Sequence, residues 1–155
     1  MWTALVMSRV LVLAQLPQLI GQELAVSDWL LVDQTRINGF ADISDDHQWI
    51  HVDQDRAVRE NGGTVAHGFL TLALIPHLSE SSLKWQGISR ILNYGLNRVR
   101  FTSVVRAGSR VRLRQRLVAV EEKGTSVLVT RECTMEIEGE MKPAFVAELL
   151  VSVVP

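Results

Sequence analysis

Residues 66–78, AHGFLTLALIPHL, constrain the fold more than any other stretch of the chain. Thirteen residues exceed a usual strand. Phe69, Leu70, Leu72, Ala73, Leu74 and Ile75 leave almost no polar side. A helix of that kind has to be buried on most of its faces. Pro76 is predicted to end or kink it, because proline removes a hydrogen bond and crowds the preceding turn. The rest of the chain must therefore supply a surface that wraps one apolar helix.

That surface is legible after residue 88, where the period changes to two. In residues 111–117, Val111, Leu113 and Leu117 share one face, with Arg112, Arg114 and Arg116 on the other. In residues 126–138, Val127, Val129, Cys133, Met135 and Ile137 lie opposite Thr130, Glu132, Thr134, Glu136 and Glu138. Arg131 is the exception on the apolar face. Glu121–Gly124 and Glu138–Glu140 read as turns, and residues 143–154 as a final strand. Residues 88–101 supply another strand, with Gly95 marking a bend or close approach. A meander of this kind implies an antiparallel sheet, and the fold class is α+β.

Ahead of the apolar helix the elements are short. Residues 14–24 hold Pro17 and Gly21 and read as a helical or irregular lead-in, and residues 25–33 as a strand or a turn onto one. Asp33 or Thr35 caps a helix over residues 36–43. Residues 44–53, SDDHQWIHVD, read as a polar loop, and Asp53 caps a short helix from Gln54. Asn61-Gly62-Gly63 is the strongest loop signal.

The chain of 155 residues is 47% hydrophobic with net charge −1, which predicts one folded domain over residues 1–155. It exerts no global attraction on nucleic acid or an anionic membrane. The apolar start, MWTALVMSRVLVLAQL, is interrupted by Arg9 and is shorter than the roughly 20 residues that span a bilayer. It reads as a short N-terminal extension over about residues 1–20, with no membrane insertion. A lone cysteine, Cys133, excludes a disulfide or a cysteine metal cluster within the chain and fits a cytoplasmic protein.

Titratable residues concentrate in one region. Asp42, Asp45, Asp46, His47, His51, Asp53 and His67 fall within 26 residues. A neutral imidazole can take a proton from water near neutral pH, and a carboxylic acid can deliver one. His47 and His51 are four apart, but no HExxH motif accompanies them and no metal is expected. Asp46 and His51 read equally as loop hydrogen-bonding groups, and Asp45 and Asp53 as turn and capping residues. Gly68 starts the apolar helix, where free N–H groups can stabilise a negative oxygen. Equally, it reads as a plain helix start. Arg98, Arg100, Arg106, Arg110, Arg112, Arg114 and Arg116 lie in a stretch free of acids. They suit carrier phosphates, a solvated face, or pairing with Glu132, Glu136 and Glu138 on the next strand.

FADISDDHQWIHVD followed by GGTVAHGFLTLAL, with ILNYGLNRVRF at residues 91–101, resembles the MaoC-like (R)-specific enoyl-CoA hydratases, and within them the NodN-like branch. The resemblance covers roughly residues 30–118. It implies a hot-dog fold, an antiparallel sheet wrapped around a long central helix. It also implies a homodimer whose two sheets join. The family's catalytic aspartate and histidine fall on Asp46 and His51. The glycine that binds the thioester oxygen falls on Gly68, after His67. Where the family pattern has glycine, asparagine and proline, this chain has Asp45, Gln48 and Trp49. His67, Gln48 and Trp49 then border the substrate, and Arg98 and Arg100 are candidates for the coenzyme A phosphates. The implied reaction is hydration of trans-2-enoyl-CoA to (R)-3-hydroxyacyl-CoA, or its reverse. Coenzyme A enters as part of the substrate, and no cofactor is needed. A thioesterase on the same fold, or a binding module without turnover, are the rival expectations.

Overall fold

The computed structural model describes residues 8–155, and the beginning of the predicted extension, residues 1–7, lies outside them. The rest of that extension is part of the body. β1 (Arg9–Val12) runs parallel to β4 (Leu83–Gln86), and a 3-10 turn follows over Leu13–Leu19. Leu11 and Leu16 are fully buried, so this segment is core rather than an appendage.

β2 (Glu23–Val26) and β3 (Leu30–Val32) replace the single predicted strand over 25–33. Both pair antiparallel with β6 (Ser109–Lys123). β6 pairs with β7 (Ser126–Ile137), β7 with β8 (Phe145–Val154), and β8 with β5 (Arg90–Phe101). The sheet order is β2-β6-β7-β8-β5, with β3 also on β6. The pairing of β5 with β8 shifts register between Asn93 and Gly95, which is the bend predicted at that glycine.

The alternation in sequence is the alternation in space. Val111, Leu113 and Leu117 of β6 and Val129, Cys133 and Met135 of β7 are buried against the apolar helix. The antiparallel sheet wraps that helix, as the hot-dog expectation requires. The helix itself departs from the reading of one segment over 66–78. α4 (Gly68–Ala73) stops at Leu74, and α5 (Ile75–Ser82) continues beyond Pro76. Proline sits in the first turn of α5, where its missing N–H has no partner to lose. Leu70, Leu74, Ile75 and Leu78 carry the buried face through the break.

α1 (Gln34–Ser44) begins where the Asp33 side chain accepts from the Arg36 amide; Asp33, not Thr35, is the cap. α2 (Trp49–Val52) puts a helical turn inside the predicted loop, and α3 (Gln54–Asn61) is capped by Asp53 as read. Gly62 closes α3 at φ 70°, a conformation that glycine adopts without steric cost.

On the outer face of β6 and β7 the arginine run is neutralised. Arg112 and Arg114 both reach Glu136, at 2.6 and 2.8 Å. Arg110 pairs with Glu138, Arg116 with Glu132, and Arg114 also with Glu23. Burial pushes the Glu136 carboxyl up, and the hydrogen bonds from Arg114 and Arg112 outweigh it, holding the group below its usual value of 4.5. The stability this supplies is present above that value and is lost as pH falls through the lower folded one. Glu136→Gln is expected to lower stability by about 1–2 kcal/mol at neutral pH. Urea titrations of both proteins should converge as pH falls through the acid range.

Candidate active site

α1, α2 and α3 lie ahead of the sheet and hold the polar cluster over the start of α4. The Cα of Asp45 closes α1 in the left-handed conformation, φ 56° and ψ 19°. Aspartate is among the few residues with a side chain that tolerate this region. It stands where the family pattern has glycine, so the backbone turn survives the change of residue. That turn delivers Asp46. The Gln48 amide lies 3.4 Å from Asp46 Oδ1, and the Gln48 carbonyl accepts from the His51 amide at 2.9 Å.

His51 is buried in α2, and its Nδ1 lies 2.6 Å from the carbonyl oxygen of Val65. A carbonyl only accepts, so Nδ1 carries the proton and Nε2 keeps its lone pair. His67 obeys the same logic. Its Nε2 donates to the carbonyl of Asp46 at 2.9 Å, which leaves Nδ1 as a buried acceptor without a protein partner. The two imidazoles stack, with centroids 3.7 Å apart and planes 22° from parallel. Phe40 of α1 covers His67 from a centroid distance of 5.0 Å. One carboxylate oxygen of Asp46 and one ring nitrogen each of His51 and His67 lie within 4.8 Å of one another. Ring lone pairs lie in the ring planes, so two stacked imidazoles aim theirs side by side.

Gly68 is the first residue of α4 and is exposed, so its N–H has no partner within the helix. A Cβ at Gly68 would meet the Phe101 ring at 3.1 Å. The remaining expectations separate. Gln48 is exposed beside Asp46, and Trp49 turns away to stack on the Arg56 guanidinium at 4.2 Å. Trp49 therefore does not fill the space between Asp46 and His51. His47 is exposed and pairs with Asp42, whose hydrogen bond raises its pKa. Arg98 and Arg100 lie exposed on β5 and, unlike the arginines of β6, form no ion pair among the described residues.

Three supports of His51 carry no motif. Gln34 Nε2 donates to the His51 carbonyl at 2.7 Å, and Thr64 donates to Gln34 Oε1. Val65 contributes only its backbone, held by Ile50 on one side and by an isolated bridge to Arg106 on the other. Beyond Gly68, a cavity of about 360 Å³ opens between Phe69, Leu72 and Ala73 of α4 and Gly95 and Leu96 of β5.

A family model described as "MaoC like domain" matches residues 15–137. The chain is 47% identical over 140 residues to the 3-hydroxyacyl-thioester dehydratase Z of Mycobacterium tuberculosis, covering 89% of this chain and 93% of that protein. It is 51% identical over 144 residues to nodulation protein N of Rhizobium leguminosarum bv. viciae, covering 87% and 86%. Among solved structures, the (R)-hydratase from A. caviae involved in PHA biosynthesis superposes with a TM-score of 0.71. That comparison has 21% identity and covers 88% of this chain and 96% of the other, and it shows the hot-dog fold.

The bond from His67 to the Asp46 carbonyl ties the loop to the helix start. His67→Leu keeps apolar cover over His51 but removes that donor. The expected loss is about 1–2 kcal/mol, with faster amide exchange over residues 45–48. His67→Gln, which retains a donor, should recover part of both by thermal unfolding and hydrogen exchange.

Proposed function

Because this chain belongs to the MaoC-like domain family, we propose that it is an acyl-thioester hydratase and dehydratase that adds water across the double bond of trans-2-enoyl-CoA. The product is (R)-3-hydroxyacyl-CoA, and the same site runs the reverse. The observation that carries this reading is the cluster of Asp46, His51 and His67 donor atoms within 4.8 Å, beside the first turn of α4.

The hydrogen bonds of the two imidazoles support the following roles. Nε2 of His51 is the free base, and it takes a proton from the water that attacks C3. The carboxyl of Asp46 orients that water and delivers a proton to C2, and the proton taken by His51 then returns to the Asp46 carboxylate, so one water is added overall with the thioester intact. Negative charge grows on the thioester oxygen in the transition state. The Gly68 amide, pointing out of the start of α4, is the donor for it. Glycine there makes room for the Phe101 ring beside the first turn. His67 holds Asp46 in place, and Gln48 borders the entrance. The apolar cavity beside Phe69, Leu72 and Leu96 receives the acyl chain. Arg98 and Arg100, exposed on β5 and free of ion pairs among the described residues, are our candidates for the coenzyme A phosphates. The reaction needs neither metal nor redox cofactor.

β5 supports a homodimer. Its outer edge has no partner strand among the described residues, and Ile91, Leu92, Tyr94 and Leu96 are exposed along it. A long apolar edge of this kind invites pairing, and a second copy there would join two sheets into one. Among the described residues no helix is long and apolar enough to cross a membrane. The lone cysteine of the sequence, Cys133, is buried, and a chain with no second cysteine to pair it fits the cytoplasm.

With crotonyl-CoA the purified protein should remove the absorbance of the conjugated double bond without releasing thiol. Thiol release with the unsaturation intact would instead mark a thioesterase and sink the proposal. Asp46→Asn should lower kcat at least about a hundredfold while thermal unfolding stays near that of the parent. In sedimentation the parent protein should run as a dimer, and Leu92→Arg should shift it toward monomer. A parent that is monomeric at micromolar concentration would refute the edge pairing.

A further inference from the structure

Arg131 breaks the alternation of β7, and the structure shows what the break does. The residue is 4% exposed. Its Nη1 donates to Gln115 Oε1 at 2.5 Å, and its Nε has no partner. Gln115 is itself fully buried, and its Oε1 also accepts from Ser79 at 3.0 Å. A glutamine lends a dipole but no countercharge. Among the described residues no carboxylate lies within ion-pair distance of the guanidinium. Cys133, two residues along, supplies none either, since burial pushes its thiol up to about 11. An arginine keeps its proton in any protein environment. Burying one without an anion is costly, and among the described residues only the Gln115 dipole offsets that cost.

The guanidinium lines a cavity of about 420 Å³ between α5, β4 and β5, with Ser79 and Trp85 in its walls. Glu80 and Lys84, both exposed, stand at its mouth. This cavity shares Ile75, Pro76, Asn93 and Leu149 with the apolar cavity beside α4, so the two are neighbouring compartments. From Gly68 to Ser79 the helical path is on the order of 15 Å at 1.5 Å per residue. An acyl chain entering at Gly68 therefore meets apolar walls first and a buried cation at the far end.

We propose that Arg131 is the specificity determinant for an anionic group at the distal end of the acyl chain, so that the preferred substrate is a 2-enoyl thioester ending in a carboxylate. The inference rests on the hydratase reading of the Asp46 and His51 site. A carboxylate at the end of the chain supplies the countercharge that Gln115 does not, and arginine favours such a partner. A methyl end leaves the guanidinium as it stands in the free protein.

The test compares trans-2-enoyl-CoA pairs of equal length, ending in methyl or in carboxylate, over a series of lengths. For the parent protein kcat/KM should favour the carboxylate by about tenfold or more at one length. Arg131→Met should reverse that ratio, and Gln115→Glu, which supplies a carboxylate from within, should bring it toward one. A ratio does not depend on how much of a variant is folded, so a poorly folding Arg131→Met still reports. A parent ratio at or below one at every length overturns the proposal while hydration stands. If no thioester is hydrated, the hydratase reading fails, and Arg131 is judged separately by calorimetry. The saturated carboxylate-ended acyl-CoA should then bind about tenfold tighter than its methyl-ended match, and equal affinities overturn the proposal.

Discussion

The apolar face that Leu70, Leu74, Ile75 and Leu78 present has to be covered, and the rest of this protein is arranged around that requirement, although Phe69 on the opposite side stays exposed, against the expectation of a helix buried on most of its faces. β6, β7 and β8 present alternate side chains to α4 and α5, and β1 and the 3-10 turn close over what the sheet leaves open. A wrapped helix still has an exposed beginning. The N–H groups of its first turn cannot be satisfied inside the helix, and the wrapping leaves Gly68 at the surface. The end at which we propose the chemistry is therefore a by-product of how the core is covered. α1, α2 and α3 exploit it by hanging a polar cluster over that end.

Within the cluster, two backbone carbonyls decide the chemistry. Val65 and Asp46 each offer an oxygen that only accepts, and each sits against one imidazole nitrogen. The positions of both ring protons follow from this alone. No ionised partner is needed to orient His51, because Gln34 and Thr64 secure its backbone and Val65 its ring. The stacking of His51 on His67 then couples the loop bearing Asp46 to the residue before the helix.

Much of this was legible in the residues, for reasons that can be named. The period-two runs revealed β6 and β7 because one face is buried and the other pairs arginine with glutamate, while β8 was legible from its apolar run. Asp33 and Asp53 were readable as caps because short side-chain oxygens suit that position. The motif brought Asp46, His51, His67 and Gly68 together across 23 residues. Other features left no trace. Pro76 can end one helix or begin the next, and only packing decides between them. α2 is a single turn, too short for a period. The pairing of β1 with β4 joins segments more than 70 residues apart. Val65 acts through its backbone, which no side chain advertises. Arg131 was visible as an exception, but its burial and its neutral partner Gln115 depend on strand register.

The Phe101 ring lies where a side chain on Gly68 would go. Phe101 is the last residue of β5, and it also meets Phe69 edge-on at 5.9 Å and Phe145 of β8 at 6.2 Å. One ring thus serves as a wedge between the free margin of the sheet and the mouth of the helix. Whatever displaces that margin, whether a companion strand or a lattice of solvent, must either carry the wedge with it or open a gap beside the glycine. A change at the end of β5 is in this way felt beside the glycine, through a residue with no chemistry of its own.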